Sequence, residues 1–141
     1  ADIYKAAYGE RHYRYPLALS NLASVYLQRG EYIRAEAMYR QVIQLFTETL
    51  SADHQYTGIA QIKLGRALVR QKRYAEAEPH TLAGYRILMK QTSPTVTWLQ
   101  AARKDLAAIY DALHEPAKAA GFRISTTAGA KPLGPEVVRP H

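Results

Sequence analysis

The residues that could carry acid–base chemistry recur at one spacing. Glu36 and Glu78 stand 42 positions apart, and a pair of carboxylates can serve as general acid and general base. One glutamate at the same place in each of two similar segments instead favours a structural or solvent-facing role. His12 and His54 also stand 42 positions apart, and we interpret both as capping or solvent-exposed loop residues. No catalytic residue is therefore predicted, and the chain is expected not to be an enzyme.

Metal and cofactor sites lack their usual patterns as well. The sequence contains no cysteine, which excludes disulfide frameworks and thiolate zinc sites. Its five histidines form no HExxH or similar pair, so a zinc site has no ligand set. Neither a glycine-rich phosphate loop nor the signatures of a protein kinase are present. We predict no metal and no cofactor.

The bulk composition limits the classes of partner. The net charge is +7; a basic excess can indicate a nucleic-acid binder, but more often it only keeps a protein in solution. No apolar run approaches the roughly 18 residues that a membrane-spanning helix needs, so we expect no membrane partner. The lack of cysteine fits a reducing compartment, and we expect the cytoplasm. The first residues, Ala1 to Tyr4, read as the inside of a helix, so we expect the chain to have been cut from a larger protein.

The spacing of 42 extends to many other positions and defines an internal repeat. It links apolar residues with apolar residues and small residues with small residues, as in stacked structural repeats of about 20 to 50 residues. The sets that share the step are Tyr26, Leu68 and Tyr110; Leu22, Leu64 and Leu106; Ala23, Gly65 and Ala107; and Ala35, Ala77 and Ala119. We expect the small residues to lie where two helices cross, because larger side chains would push the helices apart.

Each repeat is predicted to contain two helices. Leu19, Leu22 and Tyr26 recur at three- and four-residue steps and form the core face of a first helix. Gly30 ends that helix, because glycine adopts a left-handed turn at low cost. The second helix carries an apolar stripe of Ile33, Ala37, Val42, Leu45 and Phe46. In the third unit, Ser93 and Pro94 are predicted to cap and begin the first helix.

These units define the predicted domain organisation. A helical repeat domain covers 1–123, with repeats at about 14–50, 55–92 and 94–123. Residues 1–8 align with 43–50 and are interpreted as the remnant helix of a preceding repeat. The segment 124–141 holds two glycines and three prolines, and we interpret it as a flexible tail or linker.

Two segments of the sequence resemble a known family. Residues 30–37, GEYIRAEA, and 72–79, KRYAEAEP, resemble the motif between the two helices of tetratricopeptide repeats. The 42-residue step is similar to the longer variety found in kinesin light chain and many bacterial proteins. Residues 21–26 resemble the first helix of that variety, and Asp53-His54 resembles its loop between repeats. The resemblance covers about 1–123 and implies an all-α fold: a right-handed superhelical stack of antiparallel helix pairs, with about three repeats and a partial N-terminal helix.

A narrower likeness concerns the second and third repeats. Residues 64–85, 98–99 and 105–110 resemble the C-terminal repeats of some bacterial serine/threonine protein kinases, which implies a kinase domain elsewhere in the parent protein. The sequence departs from the family pattern at Tyr13 and Gln55, where proline usually follows histidine. It also departs at Thr81, which replaces the large residue supplied by Tyr39 one repeat earlier. The third unit loses the inter-helix motif at 114–116, as suits a terminal capping repeat.

The resemblance also implies a binding function. In tetratricopeptide repeats, the first helices line a concave groove that holds an extended or short helical peptide. By 3.6-residue geometry, the stripe opposite the core face of each first helix would line this groove. The predicted partner groove consists of Leu17, Ser20, Asn21, Ser24, Gln28, Ile59, Ile62, Lys63, Arg66, Arg70, Lys104 and Asp105.

The chemistry of this predicted groove is mixed. Asn21 can both donate to and accept from a peptide backbone. Four basic residues form the middle of the groove: Lys63, Arg66, Arg70 and Lys104. Such a cluster suits a carboxylate or phosphate through charge-assisted hydrogen bonds. We therefore expect a protein or peptide partner, with an acidic peptide as the finer expectation.

Two other classes of function stay open. The repeats could form a structural module that packs on itself or on another domain, and the truncated first repeat favours a homodimer through its uncovered apolar end. A nucleic-acid-binding repeat would need a continuous basic face with stacking aromatics. Asp105 and Asp111 interrupt the basic stripe, so nucleic acid is the least favoured partner.

Overall fold

Six helices make up the part of the chain that the structure describes. The computed structural model describes residues 14–91 and 96–127, the last four of them by their backbone alone. The helices are α1 (Arg14–Gln28), α2 (Tyr32–Thr49), α3 (Gln55–Arg70), α4 (Tyr74–Met89), α5 (Val96–Ala112) and α6 (Pro116–Thr127). Each packs against the next along the chain, and no strand occurs in these ranges. The predicted all-α stack of helix pairs is confirmed.

The turn inside each repeat has the same geometry in all three units. Gly30, Lys72 and His114 have φ angles of +83°, +62° and +62°, and they lie 42 positions apart. The residue directly after each of these left-handed residues donates its backbone N–H to the carbonyl five positions earlier, as Glu31 does to Tyr26 at 2.9 Å. This bond closes a helix end through a left-handed residue. The third unit therefore keeps this turn although its sequence at 114–116 departs from the inter-helix motif. Proline at the first position of α6 supports the turn.

The loop between α2 and α3 is held by His54. Its Nδ1 accepts a hydrogen bond from the Tyr56 N–H at 3.0 Å, so His54 is the N-cap of α3. Thr57 adds a bond from its hydroxyl to the Ser51 carbonyl at 2.8 Å. The interpretation of His54 as a capping residue is confirmed. His12, the predicted remnant helix at 1–8 and the predicted cap at Ser93-Pro94 lie outside the described residues.

Small residues set the distance between the helices of each pair. Ala23, Ala35, Ala77 and Ala119 are fully buried, and Ala107 nearly so. In the second repeat, a Cβ added to Gly65 would collide with the Thr81 hydroxyl. Thr81 is fully buried and takes the place that Tyr39 has in the first repeat. Because threonine is smaller than tyrosine, α3 and α4 can approach each other more closely. The prediction that small residues occupy the crossings is confirmed.

Two predicted core faces need correction. Leu22 was expected in the core of α1, but it is 45% exposed, whereas Pro16, Ser20 and Ala23 form the buried side. The equivalent Leu64 is buried because α2 lies against α3, whereas no described helix precedes α1. In α2, Ile33 and Ala37 are exposed. The true stripe is Ala35, Tyr39, Val42 and Phe46, whose four- and three-residue steps keep one side of the helix toward the core.

The end of the last helix also differs from the sequence-based boundary. We expected the repeat domain to stop at Arg123, but α6 continues to Thr127. The segment 124–127, ISTT, includes neither glycine nor proline. A helix that has already formed continues through such residues at little cost.

Glu36 joins the first repeat to the second. Its carboxylate accepts hydrogen bonds from Gln71 at 3.0 Å and from Arg73 at 2.7 Å, both in the turn after α3. Arg40, one turn further along α2, donates to it at 3.0 Å. Burial alone would raise the pKa of Glu36, but the hydrogen bonds from these three residues hold it below the ordinary value. The glutamates that recur along the sequence thus have the structural role predicted for them, since Glu78 likewise accepts a 2.7 Å bond from the Tyr110 hydroxyl.

Replacing Glu36 by glutamine is expected to lower the free energy of unfolding by about 1 kcal/mol at neutral pH, since charge-assisted bonds with partly exposed partners keep only part of their strength. Because folding lowers the pKa of this group, its contribution is present above the ordinary value of 4.5 and is lost as the pH falls through the folded value. Urea unfolding at several pH values measures this. Glu48→Gln, on the same helix but bonded only to Gln44, is the control. A pH-independent difference would contradict the assignment.

Candidate functional site

A cavity of about 430 Å³ opens between the first helices of the three repeats. Its wall contains residues of α1, α2, α3 and α5. The lining residues are Ser24, Leu27, Gln28, Tyr32, Tyr39, Lys63, Arg66, Arg70 and Trp98. We call this cavity the groove. Five residues of the predicted partner groove are among them: Ser24, Gln28, Lys63, Arg66 and Arg70.

The basic side of the groove comes from one helix. Lys63, Arg66 and Arg70 follow one another at three- and four-residue steps, which places them along one side of α3. Trp98 in the first turn of α5 faces them, with the Lys63 ammonium 5.2 Å from the centre of its ring. Burial, together with the nearby Arg66 charge, lowers the pKa of Lys63. The indole and the ammonium therefore form a cation–π contact at the wall of the groove.

Arg66 is already engaged by an acid. Its guanidinium donates two hydrogen bonds of 3.2 Å to the Asp105 carboxylate on α5. Burial raises the pKa of Asp105, and the Arg66 charge counteracts part of that rise. Among the described residues, no carboxylate forms an ion pair with Lys63 or Arg70. Of the four basic residues predicted for the middle of the groove, only Arg66 is therefore held in an ion pair with a described carboxylate.

The floor of the groove is polar at one point. The Ser24 and Tyr39 hydroxyls lie 2.7 Å apart, and the tyrosine ring is fully buried. Burial raises the pKa of Tyr39, so this phenol stays protonated. The hydrogen bond leaves each oxygen with remaining acceptor capacity, and it fixes the ring that forms the floor.

Two predicted groove residues are in the core instead. Ser20 is only 5% exposed and Ile62 is fully buried. Ser20 lies three residues before Ala23 and turns with it toward α2. Ile62 packs in one cluster with Leu88 and Leu99, and a Cβ on Gly84 would touch it at 2.6 Å. The prediction was wrong at these two positions because the stripe of groove residues drawn on α1 and α3 was too wide.

The other predicted groove residues lie elsewhere. Leu17 and Asn21 line a second cavity of about 450 Å³ together with Arg14, Ala18 and Tyr56. Ile59 is half-buried and packs on the cluster that contains Ile62. Lys104 is exposed on α5 and lines neither cavity. The structure therefore divides the predicted stripe among two cavities, the core and the surface of α5, to which Lys104 and Asp105 belong.

Four groove residues are absent from the set predicted from the sequence: Leu27, Tyr32, Tyr39 and Trp98. Trp98 could have been found, because it lies seven residues, about two turns, before the predicted groove residue Asp105 on the same side of α5. Leu27 could have been found in the same way, because it lies three residues after Ser24 on α1. Tyr39 is fully buried, and its place on the core side of α2 predicts a core residue and not one that lines a groove. Tyr32 belongs to the turn motif, and no spacing in the sequence shows that it faces α3.

Other kinds of site are absent from the described part of the chain. Residues 14–91 and 96–127 contain no group of three acids or histidines placed to hold a metal ion. The Nδ1 atom of His80 forms a 2.8 Å hydrogen bond with the side-chain oxygen of Gln61. None of the described helices combines the length and the apolar character needed to cross a bilayer.

Comparison with known proteins supports the repeat assignment. The model of the tetratricopeptide repeat family matches residues 14–90, which include α1 to α4 and more than half of the chain. No curated protein is significantly similar to the sequence. Domains of this kind generally act as non-catalytic scaffolds for protein–protein interaction. With the recurring turns and the stacked helix pairs, the match shows that the chain belongs to the tetratricopeptide repeat family.

Proposed function

We propose that this repeat stack binds an acidic peptide segment of a partner protein in the groove. The observation that carries the proposal is the convergence of Lys63 and Arg70, neither of which forms an ion pair with a described carboxylate, beside the indole of Trp98. A carboxylate entering here would form charge-assisted hydrogen bonds with either cation. The apolar walls would hold a neighbouring side chain of the same peptide.

The groove has room for part of a peptide. Its volume of about 430 Å³ lies in the range of about 300–1,000 Å³ that is typical of ligand pockets, which is enough for one or two side chains. Gln28 is exposed at the rim and can both donate to and accept from a peptide backbone. We infer that a short stretch of chain would be gripped at one or two side chains.

The wider setting is also a proposal. We place the chain in a larger cytoplasmic regulatory protein such as a bacterial serine/threonine kinase. What supports this is the likeness of 64–85 and 105–110 to the repeats of such kinases, and the lack of cysteine. The kinesin-light-chain-like variety is proposed from the 42-residue step.

A second candidate function is a dimerisation module. The observation that favours it is the exposure of Leu22 and Val25, each 45% accessible. Two copies that meet through these residues would cover them. A dimer of this kind would not depend on Lys63 or Arg70, and the two candidates can therefore be separated by substitutions in the groove.

The double substitution Lys63→Gln/Arg70→Glu is expected to weaken binding of acidic peptides by roughly tenfold to a hundredfold, since each lost charge-assisted bond removes about 1.5–3 kcal/mol before solvent screening. Selection of short random peptides displayed on phage, followed by titration of the enriched ones, measures this. We expect Asp and Glu to be enriched by the unaltered chain and not by the variant.

The matched control is Arg86→Gln/Lys90→Glu, which changes the net charge equally at two exposed positions outside the groove, one in the last turn of α4 and one directly after it. It should select the same acidic peptides as the unaltered chain. Arg66 is left in place, because a glutamate there would face Asp105 and disturb folding together with binding. Equal enrichment of acidic peptides by the groove variant would refute the proposal.

A further inference from the structure

The side of α1 that faces away from α2 is apolar and open. Leu22 and Val25 are each 45% exposed, and Ala18 before them is exposed too. They follow one another at four- and three-residue steps, so they form one stripe along the helix. We call Ala18, Leu22 and Val25 the open stripe.

The same stripe is covered in the other two repeats. The positions 42 and 84 residues later are Ala60, Leu64 and Ala67 in α3, and Ala102, Leu106 and Ile109 in α5. All six are at most 1% exposed. The open stripe is therefore the first occurrence of an interface that the fold forms twice more.

The covering element in those repeats is the preceding second helix. Leu64 and Ala67 share a hydrophobic cluster with Ala35 and Tyr39 of α2. Ala60 lies in a second cluster with Val42 and Phe46 of the same helix. In the third repeat, the α5 residues Ala102 and Leu106 cluster with residues of α4. Each first helix thus has two apolar sides, one for its own second helix and one for the second helix before it.

Charge at the end of the open stripe favours the same kind of occupant. At the interface of α2 with α3, Glu36 accepts a 3.0 Å hydrogen bond from Gln71. The residue equivalent to Gln71 in the first repeat is Arg29, whose side chain is 65% exposed. Arg29 forms an ion pair with Glu31 at a distance of 3.5 Å. Glu31 is also 3.6 Å from Arg34, and α1 itself contains no acidic residue. A glutamate placed like Glu36 would therefore meet Arg29 in place of Gln71 and Glu31 in place of Arg73. With Arg34 beside them, the three side chains carry a net charge of +1.

We propose that the open stripe binds an amphipathic helix of the α2 type. Its apolar side carries alanine and tyrosine four residues apart, with glutamate directly after the alanine. A second copy of the chain fits less well, because two open stripes in contact would bring the arginines at the ends of both α1 helices together, with no acid on either helix. This interface is separate from the groove and does not rest on the peptide-binding proposal.

The probe for the test is a fluorescein-labelled synthetic peptide with the sequence of residues 31–50, the chain's own α2. Fluorescence anisotropy with the full chain measures binding, and amide hydrogen exchange shows where the peptide lies. We expect binding with added protection in α1. Leu22→Ser/Val25→Ser should weaken it about tenfold or more, since the loss of buried apolar contact costs at least about 1.4 kcal/mol.

Three comparisons make the outcome decisive. The thermal unfolding of Leu22→Ser/Val25→Ser should match that of the unaltered chain, because both side chains are exposed. A peptide with Tyr39→Ser should bind weakly, and the groove variant Lys63→Gln/Arg70→Glu should bind the unaltered peptide normally. Absence of binding, equal binding by the Leu22→Ser/Val25→Ser variant, or loss of binding in the groove variant would overturn the proposal. So would a dimer of the full chain that dissociates on Leu22→Ser/Val25→Ser.

Discussion

Replacing Tyr39 by alanine is expected to lower the free energy of unfolding by about 3–5 kcal/mol, as for other large aromatic side chains removed from a core. The ring is fully buried and shares a cluster with Ala23 of α1 and with Leu64 and Leu68 of α3. Its removal would leave a cavity where three helices meet, and these helices belong to two different repeats. Urea denaturation followed by circular dichroism measures the change.

The matched variant Tyr39→Phe separates packing from hydrogen bonding. It keeps the ring and loses only the 2.7 Å bond to Ser24, which should cost about 1 kcal/mol. Most of the effect of alanine would then come from the cavity. Equal losses for the two variants would mean that the hydroxyl, and not the ring, stabilises the junction.

Replacing Gly84 by alanine is expected to lower the free energy of unfolding by about 2 kcal/mol or more, because overpacking a close helix crossing forces backbone shifts. A Cβ at Gly84 would collide with the Gly58 carbonyl, and it would lie 2.6 Å from Ile62 Cγ1 and 3.1 Å from its nitrogen. Backbone atoms cannot turn aside as a flexible side chain can. Thermal unfolding of the variant measures the loss.

Gly121→Ala is the control for this substitution. It introduces the same methyl group into helix α6, where an added Cβ would meet nothing within 4 Å. Alanine is a better helix former than glycine by about 1 kcal/mol, so this variant should be slightly more stable than the unaltered chain. Destabilisation of both variants to the same extent would show that the α3–α4 crossing is not the cause.

The helices and turns could be predicted because they depend on local sequence repeated at a fixed step. The left-handed turn at Gly30 reappears at Lys72 and His114, where the sequence offers no glycine but the step of 42 still marks the place. Burial was harder to predict, because it depends on what lies opposite. Leu22 and Leu64 have equal places in the repeat, but only Leu64 has a described helix against it.

The groove could be predicted in part for a related reason. Lys63, Arg66 and Arg70 follow from the period of a single helix. The pairing of Arg66 with Asp105 joins residues 39 positions apart on different helices, and no spacing within α3 indicates it. Ile62 was assigned to the groove because a helical stripe drawn on one helix does not show how closely glycine allows the next helix to approach.

The two glutamates that link neighbouring repeats have a consequence for cooperativity. Glu36 in the first repeat accepts hydrogen bonds from the second, and Glu78 in the second accepts one from the third. In a linear array, the stability of each unit is its own plus that of its contacts with its neighbours. The middle repeat shares in both links and each end repeat in one. Amide hydrogens should therefore exchange first at the ends of the array and last in α3 and α4. The array is then expected to unfold from its two ends toward the middle repeat.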